Sequence, residues 1–406
     1  MSGFLARVLQ ICTPSDAERE LRGIGVDPVG IAMMYGKMQT RCVKLTDLQC
    51  RQANILKQEM LALGGDAAVA RGTVACSIDH TDVILIGTDK QLQTLCDKLA
   101  PQPFQLPALA GELKRVLQRA SQGPRVWRTS RRELSLDRPL IMGILNSTPD
   151  SFSDGNQYSD PGRALERALE MVEQGADIID IGGESTRPGS APVPAEEELK
   201  RVLPVIAALA GRISRPISID TWKSAVAQAA MDAGAEIIND ISGLTFDPQM
   251  AGVAARSSAG MVLMHTRGTP QTMQHDTGYS DLMGEIILSL RQSLAMAGEA
   301  GIEQERIALD PGIGFAKTAA HNLEILRRLR EVTTIGLPLL VGSSRKSFIG
   351  TTLKRETGQR MYGTAATVAL AVQGGAHILR VHDVREMRDV ADMAHAITNS
   401  YRSEST

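Results

Sequence analysis

No run of apolar residues in this 406-residue chain approaches the roughly 20 needed to span a bilayer. The first twenty residues, MSGFLARVLQICTPSDAERE, hold no long apolar stretch between a basic start and a cleavage site. That argues against a secretory signal and for a cytoplasmic protein. Cysteine is scarce and badly spaced for chemistry. Cys12, Cys42, Cys50, Cys76 and Cys96 are odd in number and show no C-x-x-C, so zinc and disulfide frameworks are not expected. Charge of one sign is lacking too: the formal net charge is -2. A general affinity for nucleic acid or membrane is thereby disfavoured, and any anion site must be local.

What is present is an ordinary globular composition, 43% hydrophobic and 22% charged, long enough for one large domain and a smaller one. All five cysteines fall in the amino-terminal quarter, which marks a compositional boundary. Residues 1–100 read as a small α/β accessory domain. A helix over 53–63 is stopped by Gly64 and Gly65, a buried strand covers 82–87, a helix covers 90–99, and 72–78 suits a further strand. No motif there carries chemistry, and His80 reads as a surface histidine. Residues 101–135 read as a linker, with Pro101, Pro103 and Pro107, a helix over 108–119, and an alternating hairpin, VWRTSRRELSL. Its arginines, Arg128, Arg131 and Arg132, together with Arg125 just before it, are expected on a solvated face.

Residues 136–400 repeat one pattern eight times: apolar strand, polar residue at its carboxyl end, loop, amphipathic helix. The strands are LIMGILN (140–146), DIIDIGG (177–183), PISIDT (216–221), EIINDIS (236–242), GMVLMHT (260–266), IALDPG (307–312), PLLVGSS (338–344) and HILRVHD (377–383). Near-continuous apolar strands alternating with helices indicate a parallel sheet covered by helices. Eight units over this length suit a (β/α)8 TIM barrel; an open doubly wound sheet is the second choice. No G-x-G-x-x-G follows the first strand, which disfavours a dinucleotide fold.

In such a barrel the site lies at the carboxyl ends of the strands. Those ends carry Asn146, Asp180, Asp220, Asn239, Met264, Asp310, Ser344 and Arg380 with His382. Each alone suits a satisfied buried polar group, but eight converging on one rim imply a polar ligand. Side chains alternate along a strand, so Arg380 and His382 share a face that should point into the mouth. An inward Arg and His read as an anion site. A structural salt bridge is the alternative, made weaker by Asp383 pointing the other way. Asp220, Asn239, Asp310 and Lys346 supply acceptors and donors for a flat heterocycle, with Phe315 and Met264 against its faces. The residues thus suit a heteroaromatic ligand that carries phosphate.

Seven segments together resemble the motifs of dihydropteroate synthase: NSTPDSFSDG (146–155), GGESTRPGS (182–190), DTWK (220–223), NDISG (239–243), DPGIGFAKT (310–318), GSSRKSFIG (342–350) and RVHDV (380–384). The resemblance runs from Leu140 to about residue 397. It implies a transferase that condenses 6-hydroxymethyl-7,8-dihydropterin pyrophosphate with p-aminobenzoate, releasing pyrophosphate, in folate biosynthesis. By resemblance, Asp220, Asn239, Asp310 and Lys346 hold the pterin, and Ile241, Met264, Phe315 and Gly342 line its slot. Asn146, Arg380 and His382 would hold pyrophosphate, with Mg2+ at Asn146. Thr186, Arg187, Pro188 and Ser344 would meet p-aminobenzoate or order the loops around it. Asn146, Asp220, Lys346, Arg380 and His382 would carry catalysis, with loops 147–160 and 184–195 closing over the substrates. A homodimer is implied as well. Two other readings share the pterin residues: a methyltransferase moving a methyl group from methyltetrahydrofolate to a corrinoid, and a non-catalytic pterin-binding relative. The first has no use for Arg380, His382 and the SRKS segment as an anion site.

Overall fold

The computed structural model describes residues 4–147, 161–187 and 189–399. The described residues divide into two compact units, one up to residue 121 and the other within residues 122–398. The boundary falls inside the segment that the sequence presents as a linker.

In the first unit, β1 (Thr40–Gln49), β2 (Asp66–Val69) and β3 (His80–Thr88) form an antiparallel sheet in the order β1-β3-β2. Alternate residues of β3, among them Val83 and Leu85, are buried, while Asp82 and Ile84 face out. The strand is therefore covered on one side only, as an antiparallel sheet permits. Helices Cys50–Ala62, Asp89–Leu99 and Leu106–Ser121 supply the cover through Leu56, Met60, Leu92, Leu95, Leu106 and Leu113. The stretch 72–78 is not a strand. Successive turn bonds, Thr73 N to Ala70 O and Cys76 N to Thr73 O, fold it back, and β2 lies earlier instead.

In the second unit, eight parallel strands follow: β6 (Leu140–Asn146), β7 (Ile178–Gly182), β8 (Ile217–Asp220), β9 (Ile237–Asp240), β10 (Gly260–Met264), β11 (Ile307–Asp310), β12 (Leu340–Val341) and β13 (Ile378–Val381). They pair in the order β11-β10-β9-β8-β7-β6-β13-β12. A bridge between Leu309 and Leu339 joins the two ends, closing the barrel. The expected TIM barrel is thus the observed one.

Period-2 alternation sorts the strands into two cores, β8 turning a polar residue, Ser218, to the interior. Ile141, Leu145, Ile179, Ile219, Ile238, Leu263, Leu309, Val341, Leu379 and Val381 pack outward against the helices. Met142, Ile178, Ile237, Val262, Ala308, Leu340 and Ile378 fill the interior. The hairpin β4 (Val126–Arg128) and β5 (Glu133–Ser135) contributes Trp127 to that interior core. The Trp127 ring is fully buried, and its Nε1 donates to the Arg306 carbonyl at 2.9 Å. Nor are the hairpin's arginines simply solvated. Arg128 pairs with Glu133 and Glu305, and Arg132 with the buried Glu236.

Candidate active site

Two residues beyond six of these interior residues, the same inward face reaches the carboxyl-end mouth. Ile178 leads to Asp180, Ile237 to Asn239, Val262 to Met264, Ala308 to Asp310, Leu340 to Gly342 and Ile378 to Arg380. The ladder staggers them along the barrel: Met264 lies opposite Asp310 and Asp220 opposite Asn239, while Asp180 lies opposite Ser218, Asn239 opposite Val262 and Arg380 opposite Met142. Six strands therefore present an inward residue to the layer of side chains at this mouth.

The centre of that layer is an ion cluster. Arg380 Nε donates to Asp180 Oδ2 and its Nη2 to Asp220 Oδ2, both at 2.6 Å. Asn239 Nδ2 also donates to Asp180 Oδ2, at 3.2 Å. The salt bridge that the sequence disfavoured is therefore present. Asp383 does point away, but onto Arg345, leaving Arg380 to the carboxylates across the barrel. Burial opposes the Arg380 charge, yet Asp180 and Asp220 outweigh it and hold the group above its ordinary value. Burial pushes Asp220 up to about 7, with Arg380 pulling the other way. One oxygen each of Asp180 and Asp220 is buried with no hydrogen-bond partner among the described residues. Such orphaned acceptors are costly unless a ligand supplies donors.

A second group stands beside it. Burial raises Asp310, and Lys346 nearby opposes the rise. Asp310 Oδ1 accepts from Gly312 N at 2.7 Å, so the turn itself holds the carboxylate. Gly312 has φ +72°, and a Cβ there would lie 1.9 Å from the His265 carbonyl, which excludes every other residue. Lys346 donates to the Ile313 carbonyl and sits 4.6 Å from the Phe315 ring centroid. Burial brings it down to about 8, opposed by Asp310, while Arg380 and Asp220 also act on it. Asp310, Lys346, Arg380 and Asp220 thus share one mouth. Ile241 and Met264 are buried, and Gly342 lies next to the Arg380 side chain.

His382 differs from its expected role as a cation. Burial, together with Arg345 and Arg380, pushes it down to about 3, so near neutral pH the imidazole is uncharged. Its Nδ1 lies 3.0 Å from Ser344 Oγ, joining Ser344 to the same rim. Thr186 is half-buried and Arg187 exposed, with Arg187 close enough to act on His382. Pro188 and residues 148–160 of the first loop lie outside the described residues.

Two buried lysines carried no role in the sequence reading, although both stand in quoted motifs. Lys317 Nζ lies 2.9 Å from His265 Nδ1 and donates to the Phe315 carbonyl. Burial lowers it to about 7. Lys223 pairs with Glu184 and Glu198. A lysine after a turn glycine or at a helix start ordinarily reads as exposed; only the closed barrel buries these two.

The fold and its mouth of carboxylates, amide, lysine and arginine define a pterin-binding enzyme: the family described as "Pterin binding enzyme" matches residues 142–382. The chain belongs to the dihydropteroate synthases, which are transferases. It is 51% identical over 261 residues to the dihydropteroate synthase of Synechocystis sp., a match covering 64% of this chain and 90% of that protein. It is 43% identical over 375 residues to the probable bifunctional folylpolyglutamate synthase/dihydropteroate synthase of Halobacterium salinarum. That match covers 91% of this chain, so it extends into the first unit, and 44% of the relative. The crystal structure of Xanthomonas albilineans dihydropteroate synthase with 4-aminobenzoic acid superposes with a TM-score of 0.64 and 42% identity. It covers 68% of this chain and 98% of that one. Among the described residues no helix is long and apolar enough to cross a membrane.

Proposed function

We propose that this mouth joins 6-hydroxymethyl-7,8-dihydropterin pyrophosphate to p-aminobenzoate with the following division of labour. Asp220, Asn239, Asp310 and Lys346 clamp the pterin edge, between Phe315, Met264, Ile241 and Gly342. Asn146, Arg380 and the neutral, hydrogen-bond-donating His382 take the pyrophosphate. Thr186, Arg187, Pro188 and Ser344 meet p-aminobenzoate.

The step breaks the bond between the pterin methylene and the pyrophosphate oxygen. The amine nitrogen of p-aminobenzoate bonds to that carbon, and its extra proton leaves to solvent or to the departing pyrophosphate. Positive charge grows on the methylene, where Asp220 and Asp310 stabilise it through the ring. Negative charge grows on the leaving group, where Arg380 stabilises it. An aromatic amine is nucleophilic without a strong base, and His382, pushed down to about 3, is poorly placed to be one. Arg380 serves both states: it covers Asp180 and Asp220 in the free enzyme and turns to phosphate when substrate arrives.

Mg2+ suits Asn146. The Asn146 side-chain oxygen and the Asp180 oxygen left unpaired among the described residues are hard donors of the kind this ion takes. Among the described residues no three His, Cys, Asp or Glu cluster as metal ligands, so phosphate and water would complete the shell. Bound there, it would neutralise charge on the departing pyrophosphate. A cytoplasmic homodimer fits the same reading.

The observation that carries these assignments is the convergence of Asp220, Asp310, Lys346 and Arg380 on one mouth, with two buried carboxylate oxygens left for a ligand. With Mg2+ present, purified enzyme should release pyrophosphate at a substantial rate only when both substrates are added. Chromatography should show dihydropteroate; folded protein that yields none would overturn the assignment.

A further inference from the structure

The span 184–193 is closed at its base by a buried ion cluster. Lys223 Nζ donates to Glu184 Oε2 at 2.7 Å and to Glu198 Oε2. The side chains of Glu198, Glu184 and Lys223 are 0%, 7% and 11% exposed. One cation faces two buried carboxylates, burial raises Glu198 against the pull of Lys223, and apolar residues of similar volume are often at least as stable in such a place. Position explains the cluster better than stability does. Glu184 directly follows the glycines that end β7, and its other oxygen, Oε1, accepts from Val193 N at 2.8 Å. One carboxylate thus ties both ends of a ten-residue span and hands its remaining charge to Lys223. The floor beneath is rigid. A Cβ on Gly183 would meet Val202 Cγ1 at 2.7 Å and Glu198 Cγ at 2.9 Å, and Arg201 donates to the Gly183 carbonyl at 3.0 Å.

We propose that Lys223, acting through Glu184, is a positioning residue that fixes the span carrying Thr186 and Arg187, and so sets affinity for p-aminobenzoate without touching it. The proposal rests on the assignment of Thr186 and Arg187 to that substrate. Losing one charge-assisted anchor predicts, for Lys223→Met in the full chain, a KM for p-aminobenzoate raised about tenfold. The KM for the pterin pyrophosphate and kcat should stay within about twofold. Lys223→Arg should restore much of the loss, and hydrogen exchange at the amides of 184–193 should quicken in Lys223→Met alone. If Lys223→Met does not fold, Glu184→Gln keeps an acceptor for Val193 N, removes the charge, and should shift the same KM in the same direction. Both KM values rising together, neither rising, or unchanged exchange in a folded variant would overturn the proposal. Arg187→Ala separates the two layers. If it too leaves the KM for p-aminobenzoate unmoved, the substrate assignment falls and takes the proposal with it. If it raises that KM while Lys223→Met does not, only the proposal falls.

Discussion

Asp220 meets Arg380 on one side and, among the described residues, leaves its other oxygen without a donor, buried where a ligand would sit. Burial brings it up to about 7, so its charge changes within the working range of pH. Affinity for 6-hydroxymethylpterin should therefore fall as pH drops through about 7, and Asp220→Asn should remove that inflection in a calorimetric titration. The same shift fixes a sign for stability. A carboxyl raised above its ordinary 3.8 favours the fold fully at low pH and loses that contribution as pH rises through 7. Asp220→Asn is expected to raise Tm at pH 8 and change it little at pH 4; a fall at pH 8 would show that the Arg380 bond matters more than the buried charge. The residue types at the strand ends were visible in sequence because each stops an apolar run. The neutrality of His382 and the burial of Lys317 and Lys223 were not, since they depend on what packs around those groups from other strands.

At the scale of elements, the alternation of strands and helices and the two-residue period carry nearly everything that positions the site. In RVHD the period puts Arg380 inward two residues after Ile378, and in NDIS it does the same for Asn239 after Ile237. The stretch 72–78 misled because Val74, Cys76 and Ile78 alternate, yet Gly72 and the left-handed Cys76 (φ +47°) favour turns. The barrel floor was also hidden, for a tryptophan amid arginines looks like part of a surface ribbon until the barrel interior is there to receive it. Trp127→Ala should cost about 3–5 kcal/mol in denaturant unfolding of the second unit. The kcat at 25 °C should barely move, because Trp127 fills the end opposite the mouth. An unchanged midpoint would remove Trp127 from the core.

At the scale of the molecule, the site is built wholly from residues of the second unit, while the first has its own sheet and its own apolar core. A chain beginning at residue 122 should therefore keep measurable pyrophosphate release dependent on both substrates, and complete loss in a folded barrel would assign the first unit a direct part in turnover. The sequence places the change of unit within residues 101–135, and the helix Leu106–Ser121 buries its apolar face in the first unit before the chain enters the barrel. What most needs testing is that one mouth holds an acidic heterocycle clamp and a cationic phosphate pocket as separable parts. Calorimetry with 6-hydroxymethylpterin and with its pyrophosphate ester, on Arg380→Ala and Asp310→Asn, reads this directly. Arg380→Ala should weaken the ester by about a hundredfold and the free pterin far less, through the lost Asp220 partner alone, and Asp310→Asn should weaken both ligands. Equal loss of both ligands in Arg380→Ala, or no loss of either, would contradict it.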